Sequence, residues 1–158
     1  MMSDHRRTGK SVSTTSAMPT STPAPTPSSK LSLGQVSFVG AGPGDPRLLT
    51  VRATELLAEA DVVITETAEQ AALVTNGALV VEGGCNADGV PLTRAARGKL
   101  VVKHAKGGAN VVRLMVGDPF TYATGPEEAQ ACAKAGIAFE VVPGVSSVSA
   151  VPAYAGVP

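Results

Sequence analysis

The chain has no tryptophan, and its three phenylalanines and two tyrosines make up only 3% of its 158 residues. Its hydrophobic content of 44% is still enough for a core, which must be built from Val, Leu and Ala. No apolar run approaches the roughly 18 residues that a membrane-spanning helix needs. The N-terminus is basic but lacks the apolar segment of a secretory signal. These absences predict one domain of a cytoplasmic protein without a membrane partner.

Cysteine is also scarce, since Cys85 and Cys132 are the two thiols of the chain. They are far apart, and neither belongs to a C-x-x-C pair or to a Cys/His cluster. Spacings of this kind indicate neither a disulfide framework nor a zinc site. We therefore predict no metal site and two buried or half-buried thiols, as is usual in a reducing compartment.

The formal net charge of zero conceals an asymmetry between the two parts of the chain. Residues 1–34 have four Lys/Arg and one acid (+3), whereas residues 35–158 have nine Lys/Arg and twelve acids (−3). The acidic second part argues against nucleic-acid binding. The first part is rich in Ser, Thr and Pro and cannot bury enough apolar surface to fold. We predict a disordered tail over residues 1–34 and a folded domain over residues 35–158.

Short apolar runs alternate with amphipathic stretches along the predicted domain. The predicted strands are 36–40, 61–64, 78–82, 110–115 and 137–142, and the predicted helices are 46–60, 67–74, 92–106, 126–135 and one starting near Ser146. Alternating strands and helices of these lengths indicate an α/β fold. We expect a mostly parallel five-stranded sheet with helices on both faces.

A glycine-rich turn, Gly-Ala-Gly-Pro-Gly-Asp-Pro, follows the first predicted strand at residues 40–46. Gly40 and Gly42 fit the dinucleotide fingerprint G-x-G-x-x-G, but Asp45 occupies its third position. The Asp45 carboxylate would repel a phosphate, and Pro43 lacks a backbone N–H to donate to one. Asp45 and Pro46 instead suit an N-cap and a first helical residue. The turn is either a site for a ligand without phosphates or a tight turn without a ligand.

Two more glycine turns follow the fourth and fifth predicted strands, at Gly117 and at Gly144. Because parallel strands end at one edge of the sheet, the three turns should meet there and form a site. Asp118 has two interpretations, as the cap of a turn before a proline or as a ligand contact. Ser146 likewise is either the N-cap of the last helix or a ligand contact.

Three blocks carry a resemblance to a known family: VGAGPGDPRLLTVRATELLAEADVVI, VVRLMVGDPF with EEAQACAKAGIAFEVVPGVSS, and PAYAGVP. Together they cover most of residues 36–158, and in this order they resemble the tetrapyrrole methylases. The PGDP and PAYAGVP segments favour the members that methylate uroporphyrinogen III. The resemblance implies transfer of methyl groups from S-adenosyl-L-methionine to ring carbons of that tetrapyrrole, giving precorrin-2 for sirohaem and cobalamin. It also implies a homodimer of the complete protein.

The resemblance also implies where the site residues are. The cofactor-binding residues would be Pro43, Val116, Gly117, Asp118, Thr121, Ser146 and Ser147. Glu66 stands where the family has an aspartate after the second strand, and a carboxylate there could act as a general base.

The chain departs from the family at several positions. Gly84 replaces a lysine, Val116 replaces a glycine, and Ala123-Thr124-Gly125 replaces a Gly-Arg-Gly segment. Family members continue into a second α/β domain, so we expect this chain to be a fragment that is inactive alone. Four alternatives stay open: another precorrin methylase, a methylase of a non-tetrapyrrole substrate, a methylase half resembling those fused to uroporphyrinogen-III synthase, or a non-catalytic half that binds S-adenosylmethionine.

We predict that the site binds S-adenosylhomocysteine, the demethylated cofactor, more tightly than NAD. The reason is that Asp45 occupies the fingerprint position beside which a pyrophosphate would lie. A competition assay between the two ligands measures the difference. Tighter binding of NAD would show that the loop does accept a phosphate chain.

Overall fold

The computed structural model describes residues 33–157, so the predicted disordered tail lies almost wholly outside the described residues. Its elements, in chain order, are β1 (Val36–Gly40), a 3-10 turn (Pro46–Leu48), α1 (Val51–Glu59), β2 (Val62–Thr65), α2 (Ala68–Ala71), β3 (Leu79–Glu82), α3 (Arg94–Lys106), β4 (Val111–Met115), α4 (Gly125–Lys134), β5 (Phe139–Val142) and α5 (Ser147–Ala155). No helix within the described range is long and apolar enough to cross a lipid bilayer.

The five strands form one sheet in the order β3-β2-β4-β1-β5, and every neighbouring pair is parallel. In the centre of the sheet, Phe38 of β1 is opposite Arg113 of β4 and Val141 of β5. The predicted five-stranded parallel sheet is therefore confirmed. Because all strands run the same way, the loops after β1, β2, β4 and β5 leave from one edge of the sheet.

Apolar side chains cover both faces of this sheet, and the alternation along each strand divides them into two clusters. One face packs against α3 and α4 through Val36, Phe38, Val62, Ile64, Val111, Met115, Val101, Ala105, Ala129 and Cys132. The other packs against α1 through Val39, Val63, Val112, Leu114, Val142, Ala53, Leu56 and Leu57. Helices on both faces are thus confirmed, and the core contains few aromatic rings, as the composition requires.

The predicted continuous helix over residues 46–60 is wrong in its first turn. Asp45 caps a short 3-10 turn by accepting from the Arg47 N–H, and the chain then becomes extended. Thr50 begins α1 with a second cap, its hydroxyl accepting from the Ala53 N–H at 3.2 Å. Two capping side chains five residues apart compete, and each starts its own helical segment.

Two other helices differ from their predicted bounds. α3 begins at Arg94 rather than at residue 92, because the Thr93 hydroxyl caps it by accepting from the Ala96 N–H. α2 has four residues instead of the predicted eight, since Leu73 and Val74 leave the helix and pack against the α1 side of the core.

The two thiols have different surroundings, and neither forms a disulfide. Cys132 is fully buried in α4, whereas Cys85 is half-buried in the loop after β3. Burial, together with the nearby Glu128 carboxylate, raises the pKa of Cys132 to about 11. The prediction of buried or half-buried free thiols is confirmed.

We predict that only Cys85 of the folded protein reacts with Ellman's reagent at pH 8. Cys132 is shielded, and its raised pKa leaves it as the unreactive thiol. Cys85→Ser should therefore abolish rapid labelling, and Cys132→Ser should preserve it. In guanidinium each unfolded variant should show one reactive thiol, which is newly exposed in Cys85→Ser and already reactive in Cys132→Ser. Rapid labelling of folded Cys85→Ser would contradict the burial of Cys132.

Candidate functional site

Three glycines bring the ends of the central strands into backbone contact at the carboxyl edge of the sheet. A Cβ atom placed on Gly40 would lie 2.5 Å from the Gly117 carbonyl oxygen and 2.6 Å from the Gly144 nitrogen. Real Cβ atoms do not approach other atoms so closely, so Gly40 has to remain glycine. Gly117 also has a φ of +67°, a conformation that glycine adopts without strain.

Backbone hydrogen bonds connect the loops that follow β1 and β4. The Gly42 N–H donates to the Gly117 carbonyl at 3.1 Å, and the Gly117 N–H donates to the Gly42 carbonyl at 2.8 Å. The Ala41 N–H donates to the Met115 carbonyl at 2.7 Å. The predicted meeting of the glycine turns is therefore present, and it is made largely by main-chain atoms.

The Asp118 side chain connects the β4 loop to the β5 loop. Its carboxylate accepts from the Phe120 N–H at 2.9 Å and from the Gly144 N–H at 3.2 Å. Partial burial acts to raise the pKa of Asp118, but these hydrogen bonds outweigh it and hold the pKa below its usual value. The structure thus shows the turn-capping interpretation of Asp118, and its carboxylate helps to fix the edge loops.

Above these loops lie two adjacent clefts, which we call the rim cleft and the loop cleft. The rim cleft has a volume of about 320 Å³ and is lined by Glu66, Arg97, Met115, Val116, Thr121, Tyr122, Ala123, Thr124, Ser146, Ser147 and Val148. The loop cleft has a volume of about 280 Å³ and is lined by Ala41, Gly42, Pro43, Gly44, Thr67, Glu69, Gln70, Leu73 and Val116. Val116 lines both clefts and is half exposed.

The structure brings together most of the predicted site residues. Those that line the rim cleft are Glu66, Val116, Thr121, Ser146 and Ser147. Pro43 lies in the adjoining loop cleft, while Gly117 and Asp118 line neither cleft and hold the loops together. The Ser146 hydroxyl accepts from the Val148 N–H at 3.2 Å, as expected of the N-cap of α5.

Glu66, the predicted general base, follows β2 and is held from several sides. Its N–H donates to the Gln70 side-chain oxygen at 2.7 Å. Its Oε1 atom is 2.6 Å from a terminal nitrogen of Arg113 and 3.4 Å from a terminal nitrogen of Arg97. The Glu66 side chain is 20% exposed and lines the rim cleft. Its catalytic role stays a prediction.

Arg113 is fully buried in the middle of β4 and makes the ion pairs that hold Glu66 in place. Its Nε atom is 2.8 Å from Glu128 Oε2, and a terminal nitrogen donates to the Leu114 carbonyl at 3.1 Å. Glu128 is also fully buried and accepts from the Thr124 hydroxyl at 2.8 Å. Burial alone would lower the pKa of Arg113, but its two carboxylate partners raise it, so the guanidinium remains charged.

Sequence reasoning did not identify Arg97, Tyr122 or the pairing of Arg113 with Glu128. The sequence did contain one indication of the Arg113 pairing, an arginine within an apolar strand, because a buried guanidinium needs an acidic partner. Tyr122 has a φ of +54°, and the residue is 94% exposed beside the rim cleft that it helps to line. No pattern in the sequence predicted the positive φ of Tyr122.

We predict that Glu128→Ala lowers the free energy of unfolding by about 3 kcal/mol, because it removes a buried partner of the Arg113 charge. The matched variant is Glu127→Ala, which removes the adjacent carboxylate that pairs with exposed Arg94. The Glu127→Ala change should lower the free energy of unfolding by less than about 1 kcal/mol. Urea unfolding measures both values. Equal losses in the two variants would show that the buried pair has no special role.

Comparisons with known proteins agree on the kind of protein to which this chain is related. A family model described as tetrapyrrole (corrin/porphyrin) methylases matches residues 35–158. The siroheme synthase of Baumannia cicadellinicola subsp. Homalodisca coagulata is 45% identical over 129 residues, which are 80% of this chain and 28% of that protein. Siroheme synthase 1 of Pectobacterium atrosepticum is 45% identical over 79% of this chain and 27% of its own length.

Solved structures show the same relationship. Uroporphyrin-III-C-methyltransferase from Thermus thermophilus has a TM-score of 0.65 and 37% identity, covering 79% of this chain and 54% of its own. A structure of the Thermus thermophilus enzyme complexed with S-adenyl homocysteine has a TM-score of 0.64 and 38% identity. The match covers 75% of this chain and 51% of that structure's chain. The chain thus spans about a quarter of the curated relatives and about half of these structures. Since the family model matches residues 35–158, the chain belongs to the tetrapyrrole (corrin/porphyrin) methylases.

Proposed function

We propose that residues 35–158 form a methylase domain that binds S-adenosyl-L-methionine and contributes to the C-methylation of uroporphyrinogen III, which yields precorrin-2. The observation that carries this proposal is the meeting of three glycine-built loops beside two adjoining clefts at the carboxyl edge of the sheet. In open α/β sheets, that edge is where ligands bind. A similar solved structure was obtained with S-adenyl homocysteine. A homodimer of the complete protein and a cytoplasmic location belong to the same proposal.

The loop after β1 is suited to a ligand without phosphate groups. The Asp45 carboxylate forms a two-pronged ion pair with Arg47, with nitrogen–oxygen distances of 3.1 and 2.7 Å. The side-chain hydrogen bond from Arg47 lowers the pKa of Asp45, so the carboxylate remains ionised. Asp45 also accepts from the Arg47 N–H at 2.9 Å, so a phosphate at this helical N-terminus would have to displace it. S-adenosylmethionine has no phosphate to be repelled.

The residues that would hold the cofactor line both clefts. They are Pro43 in the loop cleft, Val116 between the clefts, and Thr121, Ser146 and Ser147 in the rim cleft. When bound, S-adenosylmethionine supplies an activated methyl group to a nucleophilic ring carbon. The hydrogen-bonded loops would fix the relative positions of the reactants, and such positioning accounts for much of the rate of a transfer between them.

Glu66 is the residue that we propose as the acceptor of the proton that the tetrapyrrole loses after one of its ring carbons has gained the methyl group. Its carboxylate lines the rim cleft, and its position is fixed by Arg113 at 2.6 Å. A general base must lie within hydrogen-bond reach of the proton that it accepts, and the place of Glu66 in the wall of the cleft supports this role.

Gly84 favours a second candidate function, in which the domain binds the cofactor without performing the chemistry. A Cβ atom on Gly84 would lie 3.1 Å from the Glu66 carbonyl oxygen, so a side chain at this position would begin beside Glu66. The lysine that the family resemblance leads us to expect there is missing. Transfer of a labelled methyl group to uroporphyrinogen III distinguishes the two functions, because the second predicts binding without transfer.

We predict that the chain binds S-adenosylhomocysteine with a dissociation constant of about 1 mM, equivalent to about −4 kcal/mol. Val116→Trp should weaken binding at least about tenfold, because the indole would fill the boundary between the two clefts. Val51→Trp is the control, since Val51 is exposed on α1 and lines neither cleft. Chemical shifts in a ligand titration measure all three affinities. Absence of binding by the unchanged chain, or unchanged binding by Val116→Trp, would contradict the proposal.

A further inference from the structure

We infer that Arg97 binds a carboxylate group of the tetrapyrrole in the rim cleft. The inference rests on the proposed function, because the pyrrole rings of uroporphyrinogen carry carboxylate side chains. Arg97 lies in the first turn of α3, and its side chain is 20% exposed at the wall of the cleft. A guanidinium recognises a carboxylate through two parallel hydrogen bonds.

The present contact between Arg97 and Glu66 is weak. The distance from the Arg97 terminal nitrogen to Glu66 Oε1 is 3.4 Å, beyond the usual range for a charged hydrogen bond. The same oxygen is only 2.6 Å from Arg113, which is therefore its principal partner. Moving the Arg97 guanidinium would leave Glu66 with this short ion pair.

The Nε atom of Arg97 is also incompletely hydrogen-bonded. This N–H is buried and finds no acceptor among the residues that the structure describes. A buried donor without an acceptor is unfavourable, and folded proteins contain few of them. Rotation of the guanidinium toward a carboxylate in the cleft would satisfy its donors and exchange a long contact for two short ones.

The other arginines near this edge of the fold are less suited to the same task. Arg113 is fully buried, and all three of its guanidinium nitrogens are hydrogen-bonded within the protein. Arg94, the first residue of α3, has a close ion pair with Glu127 and does not line the rim cleft. Arg97 alone among the residues lining this cleft carries a guanidinium.

The test is a fluorescence titration with uroporphyrin III, the stable oxidised form of the proposed substrate. Arg97→Gln should weaken uroporphyrin binding at least about tenfold, the loss expected for a charged hydrogen bond. Arg94→Gln is the matched control, because it removes the same charge from the same helix, and it should change the affinity less than about twofold. Arg97→Lys should restore part of the loss, since it keeps the charge but not the paired donors.

Binding of S-adenosylhomocysteine, measured in parallel, separates this inference from the proposed function. Both Gln variants should bind it as the unchanged chain does. If the unchanged chain does not bind it, the proposed function fails. If it does bind, the inference about Arg97 is overturned by any of three results: no uroporphyrin binding by the unchanged chain, equal losses in the two Gln variants, or a loss of S-adenosylhomocysteine binding in Arg97→Gln. The last result would mean that Arg97 only maintains the structure of the cleft.

Discussion

The buried guanidinium of Arg113 is the interaction on which the geometry of the site depends. It lies at the centre of β4 and pairs with Glu128 on α4 and with Glu66 after β2. Removing either carboxylate would leave a buried charge with fewer partners, which is costly in a packed core. One side chain therefore fixes the position of a helix and of a strand end relative to each other. Well-packed apolar residues can stabilise a core as well as such a pair, so its distinctive effect is to specify this arrangement.

The main chain imposes a second constraint at the same edge. Gly40 and Gly144 let three loops approach more closely than any side chain would permit, and the Gly117 carbonyl oxygen is one of the atoms that they approach. The Asp118 carboxylate then links two of these loops through backbone N–H groups. The ion pairs position the β2 side of the rim cleft, and the glycine contacts position the β4 and β5 side. As a result, residues far apart in sequence line one cleft.

The sheet and the meeting of the glycine loops at one edge could be predicted from the sequence because both follow from local patterns. Apolar runs mark the strands, and glycines after β1, β4 and β5 mark the loops that meet. The break between the 3-10 turn and α1 could not be predicted, because it depends on competition between Asp45 and Thr50 as caps. The pairing of Arg113 with Glu66 was also hidden, since these residues are 47 positions apart and meet only when α/β packing is complete.

The two arginines that contact Glu66 differ in how completely their guanidinium groups are hydrogen-bonded within the protein. Arg113 has every nitrogen hydrogen-bonded inside the core and cannot turn toward a ligand without breaking the pair with Glu128. Arg97 has a long contact and an N–H that lacks an acceptor within the described part of the chain. A ligand in the rim cleft can therefore recruit Arg97 while Arg113 keeps Glu66 in position. Glu66 thus has one fixed arginine partner and one loosely held partner, and this difference is the basis of the role inferred for Arg97.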